Sequence, residues 1–273
     1  MYLTFAKNKI DNADHLPFDP AEYSRFKFGD GSLAKKFGEE LALDFIETHK
    51  ELLLTTANIV IVPSPYNSIP TASGLMSTYF KDTINHFLFT NNKELLLESK
   101  IHRYNTYSVD YSKLNYDERL KLMASDTYHF HESFLNNKTC LFVDDIRVTG
   151  SHEQIIKNIL EVNKLSGQFI FIYYAAFNNH TIPPNLESYL NTYSIKSLSD
   201  VATVIKSANF SPNTRIIKYI LNSNHTEVVK LFEEMDISIA TTIVKLALSN
   251  NYHQMPEYKK NFYALAGFIG LYS

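Results

Sequence analysis

The feature that most constrains this chain is a run that leaves an apolar stretch through two carboxylates and a glycine into an amphipathic helix, and then meets a second apolar stretch. Thr139-Cys140-Leu141-Phe142-Val143 has the content and length of a strand buried on both faces, and Asp144-Asp145 follows it directly. Thr149-Gly150-Ser151 leads into a helix expected over residues 153–163, and Gln168-Phe169-Ile170-Phe171-Ile172-Tyr173-Tyr174-Ala175 is the next buried strand. Two such strands joined by one helix make a right-handed βαβ unit. The fold class that follows is α/β, an open parallel sheet flanked by helices.

Other segments extend this frame. Asn58-Ile59-Val60-Ile61-Val62-Pro63 is a short β-branched run ended by proline, hence another buried strand, and a loop with Pro65 and Pro70 follows it. Leu33, Phe37, Leu41, Phe45 and Ile46 share one face of a helix expected over 32–50, with Ser32 as its cap. Helices are expected over 71–89 and 114–128, whereas 95–101 reads equally as a strand or a short helix. The first thirty residues, with Pro17, Pro20, Gly29 and Gly31, read as an irregular packed arm. Beyond residue 210 the pattern becomes helical, around 213–221, 226–234, 238–249 and 255–271. The expected division is an α/β domain with its arm over 1–210 and a helical layer or subdomain over 211–273.

Charge and composition narrow the partners. With 26 basic and 29 acidic residues and a net charge of −3, nothing supplies the field that draws a nucleic acid or an anionic membrane. The single cysteine, Cys140, lies in an apolar run and has no intramolecular disulfide partner. The opening residues are too polar for a signal peptide, and no stretch of about 18 apolar residues spans a bilayer. These features predict a cytoplasmic protein. The 18 tyrosines and 19 phenylalanines, without tryptophan, read chiefly as core filling.

The run around Asp144 also carries chemistry. Open α/β sheets bind ligands at the carboxyl ends of their strands, where this strand delivers two carboxylates. The loop containing Gly150 then enters a helix whose amino end presents free N–H groups and positive dipole, a place for phosphate. Carboxylates repel phosphate but accept hydrogen bonds from hydroxyls nearby. A ligand with a monophosphate and a vicinal diol satisfies both halves, and ribose 5-phosphate has both. An apolar strand ending in Asp-Asp also occurs in P-loop nucleotidases and receiver domains. Here no G-x-x-x-x-G-K loop exists, and the acidic pair stands too late in the chain for a receiver.

These residues resemble the phosphoribosyl pyrophosphate motif of type I phosphoribosyltransferases: four apolar residues, two acidic, one apolar, one variable, Thr-Thr-Gly, one variable, then Thr or Ser. Cys140 to Val143, Asp144, Asp145, Ile146, Arg147, Thr149 and Gly150 match, while Val148 replaces the first Thr and His152 the last hydroxyl, with Ser151 beside it. The resemblance implies that Asp144 and Asp145 hold the ribose 2′- and 3′-hydroxyls. It places the 5′-phosphate on Val148, Thr149, Gly150, Ser151 and His152. Ser64, Pro65, Tyr66, Asn67 and Ser68 would form the pyrophosphate loop, with Pro65 a candidate for a cis bond. The segment 114–122 resembles the competence-type branch, which would bring Arg119 to the pyrophosphate. The arm Tyr23-Ser24-Arg25-Phe26-Lys27-Phe28-Gly29-Asp30-Gly31 and the helical tail resemble phosphoribosyltransferase-like proteins of bacterial stress-response and tellurite-resistance loci.

The activity implied is transfer of ribose 5-phosphate from phosphoribosyl pyrophosphate to an unidentified acceptor, or the reverse phosphorolysis. Mg2+ would be bound mainly through the substrate, with no protein metal ligand, and a homodimer is compatible with this. Members acting on 6-oxopurines carry aspartate at the place of Val148, so that specificity is doubtful here. His129 and His131 read as near-surface residues and not as a metal site. The alternative function is a non-catalytic module that senses phosphoribosyl compounds or nucleotides and contacts a partner.

Overall fold

The computed structural model describes residues 1–104, 127–179, 182–183 and 185–271. Its centre is a five-stranded sheet in which every neighbouring pair is parallel. The strands are β1 (Tyr2–Ile10), β2 (Ile59–Pro63), β3 (Leu97–Glu98), β6 (Lys138–Arg147) and β7 (Gly167–Phe177), in the order β1-β7-β6-β2-β3. A separate antiparallel pair joins β4 (His102–Tyr104) to β5 (Thr127–His129). From β2 the chain crosses to β3 on one side, and from β6 it crosses to β7 on the other. The carboxyl ends of β2 and β6 therefore flank the switch point, where a crevice opens.

Three expectations are corrected. The arm is not irregular: Tyr2 to Ile10 pairs in register with Phe169 to Phe177 as an edge strand, and α1 (Pro20–Lys27) follows with Asp19 as its cap. Lys7, Asn8 and Lys9 hid this strand, because an edge strand pairs on one side only and tolerates polar residues on the other. Asp30, not Ser32, caps α2 (Gly31–Thr55), its carboxylate accepting from the Ser32 and Leu33 amides. The helix expected over 114–128 does not reach its end, since Thr127 and Tyr128 lie in β5; residues 105–126 lie outside the described residues. The ambiguity at 95–101 resolves as the two-residue strand β3.

Helices α3 (Ala72–Thr90) and α2 cover one face of the sheet. Helix α4 (Glu132–Leu135) precedes β6, and α5 (Ser151–Val162) covers the other face through Ile156 and Leu160. Helix α6 (Leu186–Asn191) packs beside α1. Helices α7 (Leu198–Ile205), α8 (Thr214–Leu221), α9 (His225–Glu233), α10 (Ile237–Ser249) and α11 (Pro256–Phe268) build a second apolar core. Two residues from the α/β part, Phe28 and Ile69, are buried in that second core. They pin the helical layer to the arm and to the loop after β2. Backbone bonds from Gly31 to Asn209, Ser211 to Gly29 and Thr214 to Pro70 reinforce the joint. Among the described residues no helix is long and apolar enough to cross a membrane.

Candidate functional site

Strand β6 sets the site because it runs on through both carboxylates to Arg147. Adjacent residues of a strand point to opposite faces, so Asp144 and Asp145 enter different surroundings. Asp144 follows Phe142 toward α5, where its Oδ2 lies 3.1 Å from His152 Nδ1 and its Oδ1 accepts from the Asp145 amide at 2.9 Å. Burial raises the Asp144 carboxyl, but the hydrogen bond and charge of His152, with Lys27 adding, outweigh it and hold it below the ordinary range.

Asp145 turns toward α1 and is only 5% exposed. Its Oδ2 accepts from the Tyr23 hydroxyl at 2.5 Å and forms an ion pair with Lys27, whose side chain is itself largely buried. Burial raises the Asp145 carboxyl, Lys27 opposes the rise, and the neighbouring negative Asp144 adds to it. Burial and Asp145 together push the Tyr23 hydroxyl well above its ordinary value.

After β6 the chain turns through Val148, Thr149 and Gly150. Gly150 adopts φ 75°, ψ 5°, a left-handed conformation natural only to glycine, and offers α5 no side-chain cap. The amino end of α5 is thereby left without a capping carboxylate or hydroxyl from its own N-cap. Thr149 Oγ1 and Ser151 Oγ share a hydrogen bond of 2.9 Å, and Ser151 is buried. His152 joins the wall of a cleft lined also by Val62, Ser64, Pro65, Asp144 and Tyr173, and its Nε2 is buried without a hydrogen-bond partner.

The loop over 64–68 forms the opposite wall. There is no cis peptide among the described residues, so the cis bond considered at Pro65 is corrected to trans. The Ser64 amide does not point into the cleft, because it extends the sheet by donating to Val143 O at 3.0 Å. Ser68 donates to Asn250 Oδ1 at 3.2 Å, and Lys100 Nζ donates to the Asn67 carbonyl at 2.7 Å while lying 3.6 Å from the centre of the Tyr66 ring. Desolvation lowers the Lys100 pKa. Helical layer and β3 flank thus both hold this loop in shape.

Of the expected site residues, Ser64, Pro65, Asp144 and His152 line one cleft at the switch point, whereas Tyr66 lines a second hollow with Gly29, Asp30 and Asn213. Arg119 lies outside the described residues. His129 is exposed in β5 and His131 caps α4, and no three His, Cys, Asp or Glu gather as a metal cage among the described residues. Five residues at or near the site escaped the sequence reading: Tyr23, Lys27, Lys100, Arg147 and Glu153. Arg147 and Glu153 lie inside or beside the motif, so the signal was present; the others arrive from distant segments.

The family profile described as PRTase ComF-like matches residues 1–265. No curated protein matches the chain. Among solved structures, a hypoxanthine phosphoribosyltransferase from Staphylococcus aureus is similar with TM-score 0.34 and 10% identity over 52% of this chain and 74% of that one. A hypoxanthine-guanine phosphoribosyltransferase from Schistosoma mansoni, in complex with IMP, is similar with TM-score 0.31 and 13% identity over 55% and 68%. At such scores nothing further is carried from either to this chain.

Proposed function

Because this chain belongs to the ComF-like phosphoribosyltransferase family, we propose that it transfers ribose 5-phosphate between pyrophosphate and an acceptor at the cleft between β2 and β6. The observation that supports this most is the cleft between β2 and β6 lined by Ser64, Pro65, Asp144 and His152, with the left-handed Gly150 opening the helix that carries His152.

In this reading the 148–152 loop receives the 5′-phosphate on backbone N–H groups and the helix dipole. Asp144 accepts bonds from the ribose hydroxyls. The expectation that both carboxylates do so narrows to Asp144, since Asp145 already holds two donors in a buried position. Asp145 acts through Lys27, keeping an ammonium beside the carboxylate pair. The pyrophosphate lies toward the 64–68 loop, where Tyr66, Asn67 and Ser68 are at least partly accessible. As pyrophosphate departs, positive charge grows on the ribose ring, and a carboxylate held ionised nearby stabilises it.

Mg2+ fits this donor set as a companion of the substrate: Asp144 is a cleft carboxylate able to support it, and the diol and pyrophosphate oxygens supply the other ligands. When bound, it neutralises the leaving pyrophosphate. Val148 offers no proton acceptor to a purine ring, so the acceptor we propose is not a 6-oxopurine.

One observation favours the second reading, a module that binds phosphoribosyl compounds without turnover: His152, Lys27 and Tyr23 already engage both carboxylates. Release of pyrophosphate from phosphoribosyl pyrophosphate and Mg2+, across a panel of pyrimidine, nicotinate-like and non-nucleobase acceptors, separates the two. Release with any acceptor supports the transferase. Raised melting temperature without release supports the sensor. No change in melting at millimolar ligand removes both.

A further inference from the structure

We infer that Arg147, held in place by Glu153, is the cation that binds the 5′-phosphate in this chain, an assignment that rests on the phosphoribosyl reading of the site. Arg147 occupies a variable position of the motif, where the pattern itself asks for nothing. The need for it comes from two substitutions. Val148 and His152 stand where the motif has hydroxyl groups, so the loop has lost two small donors to phosphate. The backbone N–H groups and the Thr149 and Ser151 hydroxyls that remain carry no positive charge to offset a phosphate dianion.

The structure supplies the missing charge at that spot. Arg147 Nη2 lies 2.9 Å, and Cζ 3.3 Å, from where a Cβ on Gly150 would stand, so the guanidinium packs directly on the glycine at the mouth of the helix. Among the described residues only Nε is engaged, donating to Glu153 Oε2 at 2.8 Å; the side chain is 32% exposed, so the Nη edge remains open to a ligand. A planar fork anchored through Nε and open along Nη suits two phosphate oxygens.

Glu153 is built to hold that fork still. Its carboxylate is 4% exposed and accepts from four groups, one on its own helix and three on three strands: Arg147 Nε, Lys157 Nζ at 2.6 Å, Tyr173 Oη at 3.2 Å and Thr4 Oγ1 at 3.3 Å. Burial raises Glu153, but Lys157 and Arg147 outweigh it and hold it ionised, below its ordinary pKa. A carboxylate in the first turn of α5 would by itself repel phosphate. Two cations on one carboxylate leave the cluster positive, so the pocket attracts an anion. Glu153 is a positioning residue in this arrangement, and Arg147 the binding one.

The test is calorimetric titration of the full chain with ribose 5-phosphate, and with phosphoribosyl pyrophosphate plus Mg2+, for wild type, Arg147→Met, Arg147→Lys and Glu153→Gln. Loss of a charge-assisted pair predicts that Arg147→Met weakens ribose 5-phosphate by roughly 10- to 100-fold. Arg147→Lys, which keeps the charge and the fold but loses the fork, recovers part of the affinity. The salt dependence of binding falls in Arg147→Met and persists in Arg147→Lys. The losses from Arg147→Met and Glu153→Gln do not add in the double variant, as expected when one residue acts through the other. Unchanged affinity and salt dependence in Arg147→Met, with the wild type binding, overturn this assignment alone. A wild type that binds neither compound overturns the phosphoribosyl reading beneath it.

Discussion

The two faces of β6 carry the same side chain one residue apart and use it differently. On the α5 face Asp144 lines a cleft, holds one imidazole and stays partly exposed. On the α1 face Asp145 is closed over by Tyr23 and Lys27 and reaches no cleft. The cleft-facing group is held ionised by one partly exposed partner, while the other is desolvated and locked. Strand alternation thus sends one carboxylate of the Asp-Asp pair to the cleft and the other to the arm.

That contrast breaks most easily at Asp145. Asp145→Asn leaves the Lys27 ammonium buried without its counter-charge, and breaking a buried pair in this way costs about 3–5 kcal/mol. Asp144→Asn should cost less, because its carboxylate is less deeply buried than that of Asp145. Urea denaturation of both variants measures the difference, and equal losses would erase the distinction between the faces.

Binding sharpens the comparison from the other side. Gly150→Val forces a β-branched residue to φ 75°, a strain of about 1–3 kcal/mol that a shift of the loop would relieve at the expense of the phosphate pocket. We expect it to abolish ribose 5-phosphate binding in a folded protein, whereas Ser151→Ala loses at most one charge-assisted bond, about 1.5–3 kcal/mol. Calorimetric titration with one ligand ranks them, and normal binding by Gly150→Val would remove the phosphate from this loop.

A smaller effect is expected where the helical layer meets the pyrophosphate loop. Asn250→Ala removes the acceptor of the Ser68 amide and should cost about 1 kcal/mol of stability. It should also slow pyrophosphate release in the transferase assay less than any change at Asp144. An unaltered melting temperature would mean that Phe28, Ile69 and the backbone bonds of the joint hold the layers together without it.

The smallest expected effect is in pH dependence, where the two carboxylates have opposite signs. Asp144 has a depressed folded pKa, so its contribution is complete above the unfolded value near ~3.9 and is lost as pH falls through the lower folded value. At Asp145 burial raises the folded pKa, so this group adds no fall of stability on the acid side. Asp144→Asn should therefore flatten the fall of stability below about pH 4, measured by denaturation from pH 7 downward. A steeper fall would reverse the assignment of signs.

The parallel sheet was legible because buried strands write themselves as unbroken apolar runs: 139–143, 168–175 and 58–63 each announce a strand, and the glycine after the acidic pair announces the turn into α5. Such signals are local, since each run must satisfy its own burial. What the sequence could not state is partnership. The edge strand Tyr2–Ile10 exists because β7 offers it hydrogen bonds 167 residues away in register, as where Tyr2 faces Phe169. Lys27 meets Asp145 across 118 residues, Lys100 meets Asn67 across 33, and Asn250 meets Ser68 across 182. The sequence by itself determined that a buried strand leads through two carboxylates and a glycine turn into a helix. Only the tertiary structure decided which carboxylate lines the cleft, because that depends on how far the strand continues and on which distant ammonium closes over the other face.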